Sequence, residues 1–367
     1  MEEESDLTLR CPVFGRPEPD IAWNKTSGAL SPSGMNFDTG KVEFRQIQLE
    51  DSGLYTCSAK NSFNEVTVFL EVTVVPRLKF VAVPKNKTHA HVGDDVILTC
   101  AADSGEFIPV VTWSKKDGDL PSGSRVLENG TLVIANASFS AIGFYKCSAK
   151  NFITSIEINV EVDVSVRTCT EWRRLGYTES NEYRIDPDVE GPVPAFQALC
   201  EMNDKNGVGI TVFNHDSENR MQTITCDPPG CYKRDINYTT ASMAQIVSVI
   251  NASASCEQFI RYDCLNSLLL NVGSPVGWWV SRDGEKMKYW GGAPPDSGMC
   301  ACGVNKTCAK GGICNCDAND YVLRFDEGML TDRATLPVSQ LRFGDAGKLN
   351  REFGFHTLGK LKCFGLL

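Results

Sequence analysis

Apolar and polar residues alternate in short runs through the N-terminal part of this chain. Residues 7–11 and 96–100 form two such runs, and each run ends on a cysteine. A period of two residues is typical of strands with one face buried and the other in water. Clusters of Gly, Pro, Ser and Asp separate the runs, as expected for turns. This part of the chain is therefore predicted to be all-β.

The strand-rich part contains one motif twice. Its anchor residues are Cys11, Trp23, Tyr55 and Cys57 in the first copy, and Cys100, Trp113, Tyr145 and Cys147 in the second. Cysteines that bridge two sheets, a tryptophan packed on the bridge and a tyrosine before the second cysteine are typical of immunoglobulin sandwiches. The motif resembles the intermediate-set immunoglobulin family. We therefore expect one bridge per copy, Cys11 to Cys57 and Cys100 to Cys147.

The two copies predict immunoglobulin-like domains at residues 1–75 and 76–166. Residues 51–61 match the family motif throughout, whereas Ala141 replaces the motif's aspartate in the second copy. We expect this change to remove one loop hydrogen bond and to leave the fold intact. Only about ten residues precede Cys11, so we expect the first domain to lack an edge strand and the chain to be a piece of a longer protein.

The composition changes near Val166, where cysteines become dense and irregularly spaced. Twelve of the sixteen cysteines lie beyond this point. Residues 183–188 and 195–202 resemble the start of fibrinogen-like C-terminal domains. That resemblance implies a disulfide between Cys169 and Cys200.

Later segments are similar to one branch of that family. They are Cys256-Glu257-Gln258, Gly277-Trp278-Trp279, Tyr289-Trp290-Gly291-Gly292 and Cys314-Asn315-Cys316. These segments resemble the fibrinogen-like module of contactin-associated proteins and the neurexin IV group. The resemblance covers residues 169–363 and implies a disulfide-rich α+β domain, placed at 167–367, that acts in extracellular recognition. The predicted fold class is multidomain: two all-β immunoglobulin sandwiches followed by one α+β fibrinogen-like domain.

An even number of cysteines favours a chain crosslinked in an oxidising compartment. Spacing suggests two further bridges, Cys226 to Cys231 and Cys256 to Cys264. The connectivity of six others stays open; they are Cys300, Cys302, Cys308, Cys314, Cys316 and Cys363. A zinc site is the alternative for the Cys-x-Cys pairs. Structural zinc prefers about two to four intervening residues, so disulfides are favoured.

Charge and sequons agree with an extracellular protein. The 36 basic and 46 acidic side chains give a net charge of −10, which repels phosphate backbones and excludes nucleic acid as a partner class. No apolar stretch is long enough to span a bilayer, and the N-terminus lacks the features of a signal peptide. Seven Asn-x-Ser/Thr sequons are candidate glycosylation sites: Asn24, Asn86, Asn129, Asn136, Asn237, Asn251 and Asn305. We expect a secreted protein or the ectodomain of a surface protein.

One oxygen-rich cluster is a candidate calcium site. Its residues are Asp317, Asn319, Asp320 and Asp326. Calcium takes about six to eight oxygen ligands from loops of this kind. The alternative is a polar turn that caps the disulfide-rich segment. Calcium is the one cofactor that the sequence suggests.

Two other groups have both a functional and a structural interpretation. His89 and His91 would lie on one face of a strand and could bind a metal, but a solvated loop is the preferred interpretation. The second group is aromatic and consists of Trp278, Trp279, Tyr289 and Trp290. These residues could stack on sugars or anchor an interface, yet they belong to the module's framework, so a place in the core is favoured.

Known catalytic motifs are missing from the sequence. It contains no Gly-x-Ser-x-Gly, His-Glu-x-x-His or phosphate-loop segment. We therefore predict a non-enzymatic adhesion or recognition protein, part of a receptor ectodomain or of the extracellular matrix, with extracellular proteins or cell-surface glycans as partners. One alternative is a secreted, fibrinogen-related defence lectin that binds glycans with calcium. The other is a structural protein of an extracellular matrix, mineralised or not.

Overall fold

The structure, a computed structural model, describes residues 1–26, 40–223, 226–347 and 351–367, together with the backbone of residues 35–38. It divides into two compact units, Met1–Val164 and Ser165–Leu367. The C-terminal unit has one large hydrophobic core. The N-terminal unit has two cores, one in each sandwich.

Two three-stranded antiparallel sheets form the first sandwich. Its strands are β1 (Leu7–Arg10), β2 (Asp20–Lys25), β3 (Met35–Asp38), β4 (Lys41–Phe44), β5 (Gly53–Lys60) and β6 (Glu65–Val72). The sheets have the orders β1-β4-β3 and β2-β5-β6. A disulfide joins Cys11 to Cys57, and Trp23 is buried in the same core. Before β1, the described chain makes an isolated parallel bridge between Glu2 and Val75 in place of a strand.

The second sandwich repeats this plan with more strands. They are β7 (Lys79–Ala82), β8 (Lys87–His91), β9 (Val96–Leu98), β10 (Ala101–Asp103), β11 (Val110–Lys115), β12 (Ser124–Val126), β13 (Leu132–Ile134), β14 (Gly143–Lys150) and β15 (Ser155–Ser165). The sheets have the orders β11-β14-β15-β8 and β12-β13-β9, and β10 pairs with β7. Cys100 and Cys147 are joined, and the Trp113 indole donates to the Gly130 carbonyl at 2.8 Å.

Both sandwiches contain a tyrosine corner. The Tyr55 hydroxyl donates to the Asp51 carbonyl at 2.7 Å, and the Tyr145 hydroxyl donates to the Ala141 carbonyl at 2.8 Å. Because the acceptor is a backbone oxygen, alanine at the motif's aspartate position keeps the corner. The Asp51 carboxylate also accepts the N–H of Gln48 at 2.8 Å, and alanine cannot make this bond. Replacement of the motif's aspartate by alanine therefore removes a loop hydrogen bond and leaves the tyrosine corner in place.

The C-terminal unit combines sheets with short helices. Its helices are α1 (Cys169–Arg174), α2 (Met243–Ala252) and α3 (Ala301–Val304). Its strands are β16 (Asn181–Ile185), β17 (Phe196–Glu201), β18 (Ile210–Phe213), β19 (Met221–Gln222), β20 (Tyr232–Asp235), β21 (Ser255–Leu265), β22 (Trp278–Val280), β23 (Lys286–Met287), β24 (Arg324–Leu330), β25 (Gln340–Phe343) and β26 (Phe353–Phe364). One sheet has the order β16-β17-β18-β26-β21-β24, with β19 also on β26, and the other β20-β25-β22-β23.

Helix α2 begins with a capping box. The Ser242 hydroxyl accepts the N–H of Gln245 at 3.3 Å, and the Gln245 side chain accepts the N–H of Ser242 at 2.9 Å. Residues Ile246, Val249 and Ile250 are buried, at the spacing that places side chains on one face of a helix. The opposite face of α2 is therefore turned away from the core.

The structure corrects one predicted disulfide. Cys256 and Cys264 both lie on β21, and eight extended residues span roughly 26 Å, so these two sulfur atoms cannot meet. Cys256 instead faces Cys363 across the β21–β26 ladder. The bonds in this unit are Cys169–Cys200, Cys226–Cys231, Cys256–Cys363, Cys264–Cys316, Cys300–Cys314 and Cys302–Cys308. No cysteine in the described chain is free.

Candidate protein-interaction surface

The structure does not gather the predicted calcium ligands into one site. The Asp317 carboxylate accepts the backbone N–H groups of Leu269 and Asn271 at 2.9 and 3.1 Å, and burial raises the pKa of Asp317. Asp320 forms a two-pronged ion pair with Arg324 at 2.6 and 3.1 Å. Hydrogen bonding to that guanidinium lowers the pKa of Asp320. Each carboxylate therefore already has a structural role.

The remaining two predicted ligands also serve turns. Asp326 accepts the backbone N–H groups of Asn315 and Cys316 at 3.0 and 2.9 Å, and burial raises its pKa to about 6. Asn319 ends the short helical turn Cys316–Ala318 in a left-handed backbone conformation. Asp326 does lie beside two sulfur atoms, but these are bonded to each other. The polar turn is the interpretation that fits these contacts.

Another group of carboxylates does come together among the described residues. Oxygen atoms of Asp227, Asp345 and Glu352 lie within 4.8 Å of one another. Asp345 also accepts the backbone N–H of Leu268 at 2.9 Å. Asp227 is far in the sequence from Asp345 and Glu352, so residue spacing gave no sign of this group. Acidic groups of this kind are common without an ion, and we assign this group no ligand.

The two histidines of β8 contact different carboxylates. The Nδ1 atom of His89 lies 3.6 Å from Asp163, and that of His91 lies 3.6 Å from Asp94. Neither histidine belongs to a group of three potential metal ligands in the described chain. The pair therefore does not form a metal site with a third ligand there. The preferred interpretation of a solvated loop was also wrong, because both histidines lie on β8 and His91 is buried.

Three of the four framework aromatic residues are buried. Trp279, Tyr289 and Trp290 lie in the core of the C-terminal unit, and the Trp279 indole donates to the Tyr289 carbonyl at 2.9 Å. Trp278 is half-buried, with the Lys286 ammonium 3.4 Å from a ring centroid. Three of these residues therefore lie in the core, as the sequence analysis favoured, whereas Trp278 lies at the surface.

An apolar surface on the second sandwich was missed by sequence reasoning. It is formed by the loop between β10 and β11, the first residue of β11 and the loop between β14 and β15. We call it the loop surface; its exposed side chains are Phe107, Ile108, Val110, Phe152 and Ile153. Ile108 is 92% exposed and Phe152 is 65% exposed. Single exposed apolar residues are normal, whereas clusters mark interaction sites.

The loop surface is concave. The rings of Phe107 and Phe152 meet edge to face with centroids 5.1 Å apart. They line a cavity of about 720 Å³ together with Ile108, and the charged side chains of Glu106 and Lys150 also line it. An apolar, aromatic centre beside charged residues has the composition of the middle and rim of protein interfaces.

A buried asparagine holds the loop surface in shape. The Asn151 amide oxygen accepts the N–H groups of Ile153 and Thr154 at 2.9 and 2.8 Å. Its amide nitrogen donates to the Ser104 hydroxyl at 3.0 Å, and Ser104 donates to the Pro76 carbonyl at 3.2 Å. These bonds tie both loops to the linker before the second sandwich. A surface ordered in advance loses less entropy when it binds.

The first sandwich uses the same device. The Asn61 amide oxygen accepts the N–H groups of Phe63 and Asn64, both at 3.0 Å, and its nitrogen donates to the Pro17 carbonyl at 3.0 Å. Phe63 is 84% exposed at the loop tip. The sequence shows this asparagine in both copies of the repeat, but it does not show which groups the asparagine side chain hydrogen-bonds. The available signal for the loop surface was the apolar run at residues 107–111, which begins in a loop and continues into β11.

Two protein-family models match the N-terminal unit. The model of the family described as "Immunoglobulin I-set domain" matches residues 1–74, and that described as "Immunoglobulin domain" matches residues 76–151. Immunoglobulin domains make up the N-terminal part of this chain. The loop between β10 and β11 lies inside the second immunoglobulin match, and Phe152 directly follows it.

Curated relatives are similar over about half of the chain. "Contactin-associated protein 1" of Mus musculus is 37% identical over 203 residues, which are 54% of this chain and 14% of the relative. "Neurexin-4" of Drosophila melanogaster is 36% identical over 189 residues, 49% of this chain and 15% of the relative. The chain thus spans a small part of these relatives' length. Because 203 residues exceed the N-terminal unit, the first match extends into the C-terminal unit.

Solved structures with immunoglobulin domains also match. Extracellular domains 3–5 of Drosophila OTK give a TM-score of 0.41 at 26% identity, over 45% of this chain and 58% of that chain. The N-terminal eight immunoglobulin domains of the Down syndrome cell adhesion molecule give 0.38 at 25% identity, over 45% and 23%. Within the part of the chain that the structure describes, no helix is long and apolar enough to cross a membrane.

Proposed function

We propose that this chain is a non-enzymatic extracellular adhesion or recognition protein and that the loop surface binds a protein partner. The observation that carries the proposal is the ordered apolar concavity between Phe107 and Phe152. Binding energy in protein interfaces concentrates on a few aromatic and other large side chains near the centre of the contact. Ile108, at 92% exposed, gains the most burial when a partner covers this surface.

Two further observations support an extracellular protein partner. Each cysteine of the described chain is in a disulfide, which favours an oxidising compartment. The name of one relative describes a protein associated with another protein, contactin. None of the seven sequons lies in the two loops that form the loop surface, so an N-linked glycan is not attached there.

We also propose that Ser165–Leu367 has a fibrinogen-like fold and acts as a second recognition domain. Support comes from the order of the motifs between residues 183 and 316, the Cys169–Cys200 bond near its start and the α+β composition. Calcium-dependent sugar binding has less support, because Asp317, Asp320 and Asp326 are each engaged by protein groups.

Binding of the recombinant glycosylated chain to intact cells tests the proposed function. Cells are treated beforehand with a protease or with glycosidases, and binding is measured with and without a calcium chelator. We expect binding to be lost after protease treatment and to survive both glycosidases and chelator. Loss after glycosidase alone contradicts the proposal and favours a lectin.

A substitution in the loop surface tests its role directly. Ile108→Asp places a charge at the centre of the apolar contact, so we expect binding at least about tenfold weaker, equivalent to about 1.4 kcal/mol. The matched control is Ile97→Asp, because Ile97 is also an exposed isoleucine of the second sandwich, 61% exposed, but lies on β9. Equal binding by the two variants excludes the loop surface as the binding site.

A further inference from the structure

The C-terminal unit contains a large cavity beside α2. Its volume is about 940 Å³, within the range of about 300 to 1,000 Å³ that is typical of small-molecule sites. Residues Ala244, Val247, Ser248 and Asn251 of α2 line it. These positions are three or four apart and therefore share one helix face, opposite the face that packs into the core.

One wall residue of this cavity is a sequon asparagine. Asn251 is followed by Ala252 and Ser253, and its side chain is exposed. Ser253 is fully buried, and its hydroxyl donates to the Val249 carbonyl at 2.7 Å. The folded chain therefore hides the sequon's third residue, so the sugar has to be attached before α2 packs. The other six sequon asparagines do not line this cavity.

The lining of the cavity suits a sugar. Carbohydrate rings have apolar faces and polar edges, and the cavity offers Val247 and Ala244 beside the Ser248 hydroxyl and the Arg174 guanidinium. Asp188 also lines the cavity, and its buried Oδ1 atom has no hydrogen-bond partner in the described chain. The Asp188 side chain thus adds a polar residue to the lining.

We propose that the N-linked glycan of Asn251 folds back into this cavity, with its innermost N-acetylglucosamine residues packed on α2. In the attachment step, the Asn251 amide nitrogen bonds to the anomeric carbon of a lipid-linked oligosaccharide. The nitrogen loses a proton and the lipid diphosphate leaves. This inference requires that the chain pass through the secretory pathway, as the proposed extracellular function also does. It does not require that the loop surface bind a partner, so either the glycan proposal or the loop-surface proposal can be wrong without the other.

Release of the glycan by a peptide N-glycosidase tests the proposal on the unaltered full chain. This amidase converts the glycosylated asparagine to aspartate, which mass spectrometry reads site by site. Under native conditions we expect release at Asn251 to be at least about tenfold slower than at Asn237, an exposed sequon of the same unit, equivalent to about 1.4 kcal/mol of protection. In denaturant the two rates should be equal. An unglycosylated Asn251, or equal native rates, overturns the proposal.

Two variants separate cavity occupation from simple crowding. Val247→Trp fills the cavity while the sequon stays intact, so we expect faster release at Asn251 and an unchanged rate at Asn237. Asn251→Gln removes the glycan, so hydrogen exchange in Met243–Ala252 should accelerate. The matched control Asn237→Gln should leave exchange in α2 unchanged. Unchanged release from the Val247 variant, or unchanged exchange in the Asn251 variant, contradicts the proposal.

Discussion

Single buried side chains set how the C-terminal unit responds to acid. His356 is fully buried, stacks on Phe343 and shares a hydrogen bond of 2.9 Å with the Tyr232 hydroxyl. Burial, and then the charge of Arg234, lower the pKa of His356 to about 4. An exposed histidine has a pKa near 6.5. Between about pH 6.5 and 4 the unfolded chain therefore binds a proton at this position that the folded chain does not.

This difference in proton binding determines whether acid raises or lowers the stability of the folded chain. Stability should fall as the pH drops from about 6.5 to about 4, by up to about 3 kcal/mol from His356 alone. Asp326 acts in the opposite direction, because its pKa is raised to about 6 and the folded chain takes up its proton first. We therefore compare wild type with His356→Gln by urea unfolding at pH 7 and pH 4.5. The variant should lose less stability on acidification; identical losses contradict the assignment.

The tyrosine corners are a second test at the scale of one residue. Tyr145→Phe removes the hydroxyl and leaves the buried Ala141 carbonyl without its donor. We expect a loss of about 1–3 kcal/mol, measured by denaturant unfolding or by hydrogen exchange in β14. The control is Tyr183→Phe, whose hydroxyl bonds the Glu179 carbonyl at an exposed site, where water can replace the hydroxyl. Equal losses from the two variants are inconsistent with burial as the cause.

At the scale of elements, the pairing of β21 with β26 decides the covalent pattern. Their ladder places Cys256 directly opposite Cys363, with a sequence separation of 107 residues. Mass spectrometry of a non-reduced digest should find these two cysteines in one linked peptide, and Cys264 linked to Cys316. A peptide that links Cys256 to Cys264 would contradict this pairing.

The same pair should also matter most for stability. Closing a loop of about 100 residues stabilises a fold by about 4.7 kcal/mol, whereas a loop of about six residues gives about 2 kcal/mol in the same chain-entropy description. Replacing Cys256 and Cys363 together by serine should therefore cost more than replacing Cys302 and Cys308, whose separation is six. Denaturant unfolding of the two double variants makes this comparison.

These elements also show which structural features the sequence could predict. The immunoglobulin strands were predictable because Cys, Trp and Tyr recur at nearly fixed offsets, and each anchors its own sandwich. The Cys256–Cys363 bond was not, because it depends on two strands that lie about 100 residues apart in the chain. The loop surface was missed for a related reason: the apolar run at residues 107–111 is visible in the sequence, but the exposure of Ile108 depends on how both loops fold.

At the scale of the whole molecule, the proposed functional features lie on different units. The loop surface belongs to Met1–Val164, and the α2 cavity lies in Ser165–Leu367. Substitutions at one can therefore be studied without altering the other. Both candidate sites by sequence are engaged within the C-terminal unit: three of the four framework aromatic residues lie in its core, and the carboxylates near Cys316 bond to protein groups.

The disulfides also determine how far the chain can stretch under load. Four long bridges lie outside every other disulfide loop: Cys11–Cys57, Cys100–Cys147, Cys169–Cys200 and Cys256–Cys363. The Cys264–Cys316 bridge lies inside the last of these loops. When the two ends of the chain are pulled apart, tension passes through these sulfur atoms and bypasses the residues enclosed by each loop. The chain can then lengthen only through the segments between bridges. Its maximum extension is set by covalent chemistry and increases only when the bridges are reduced.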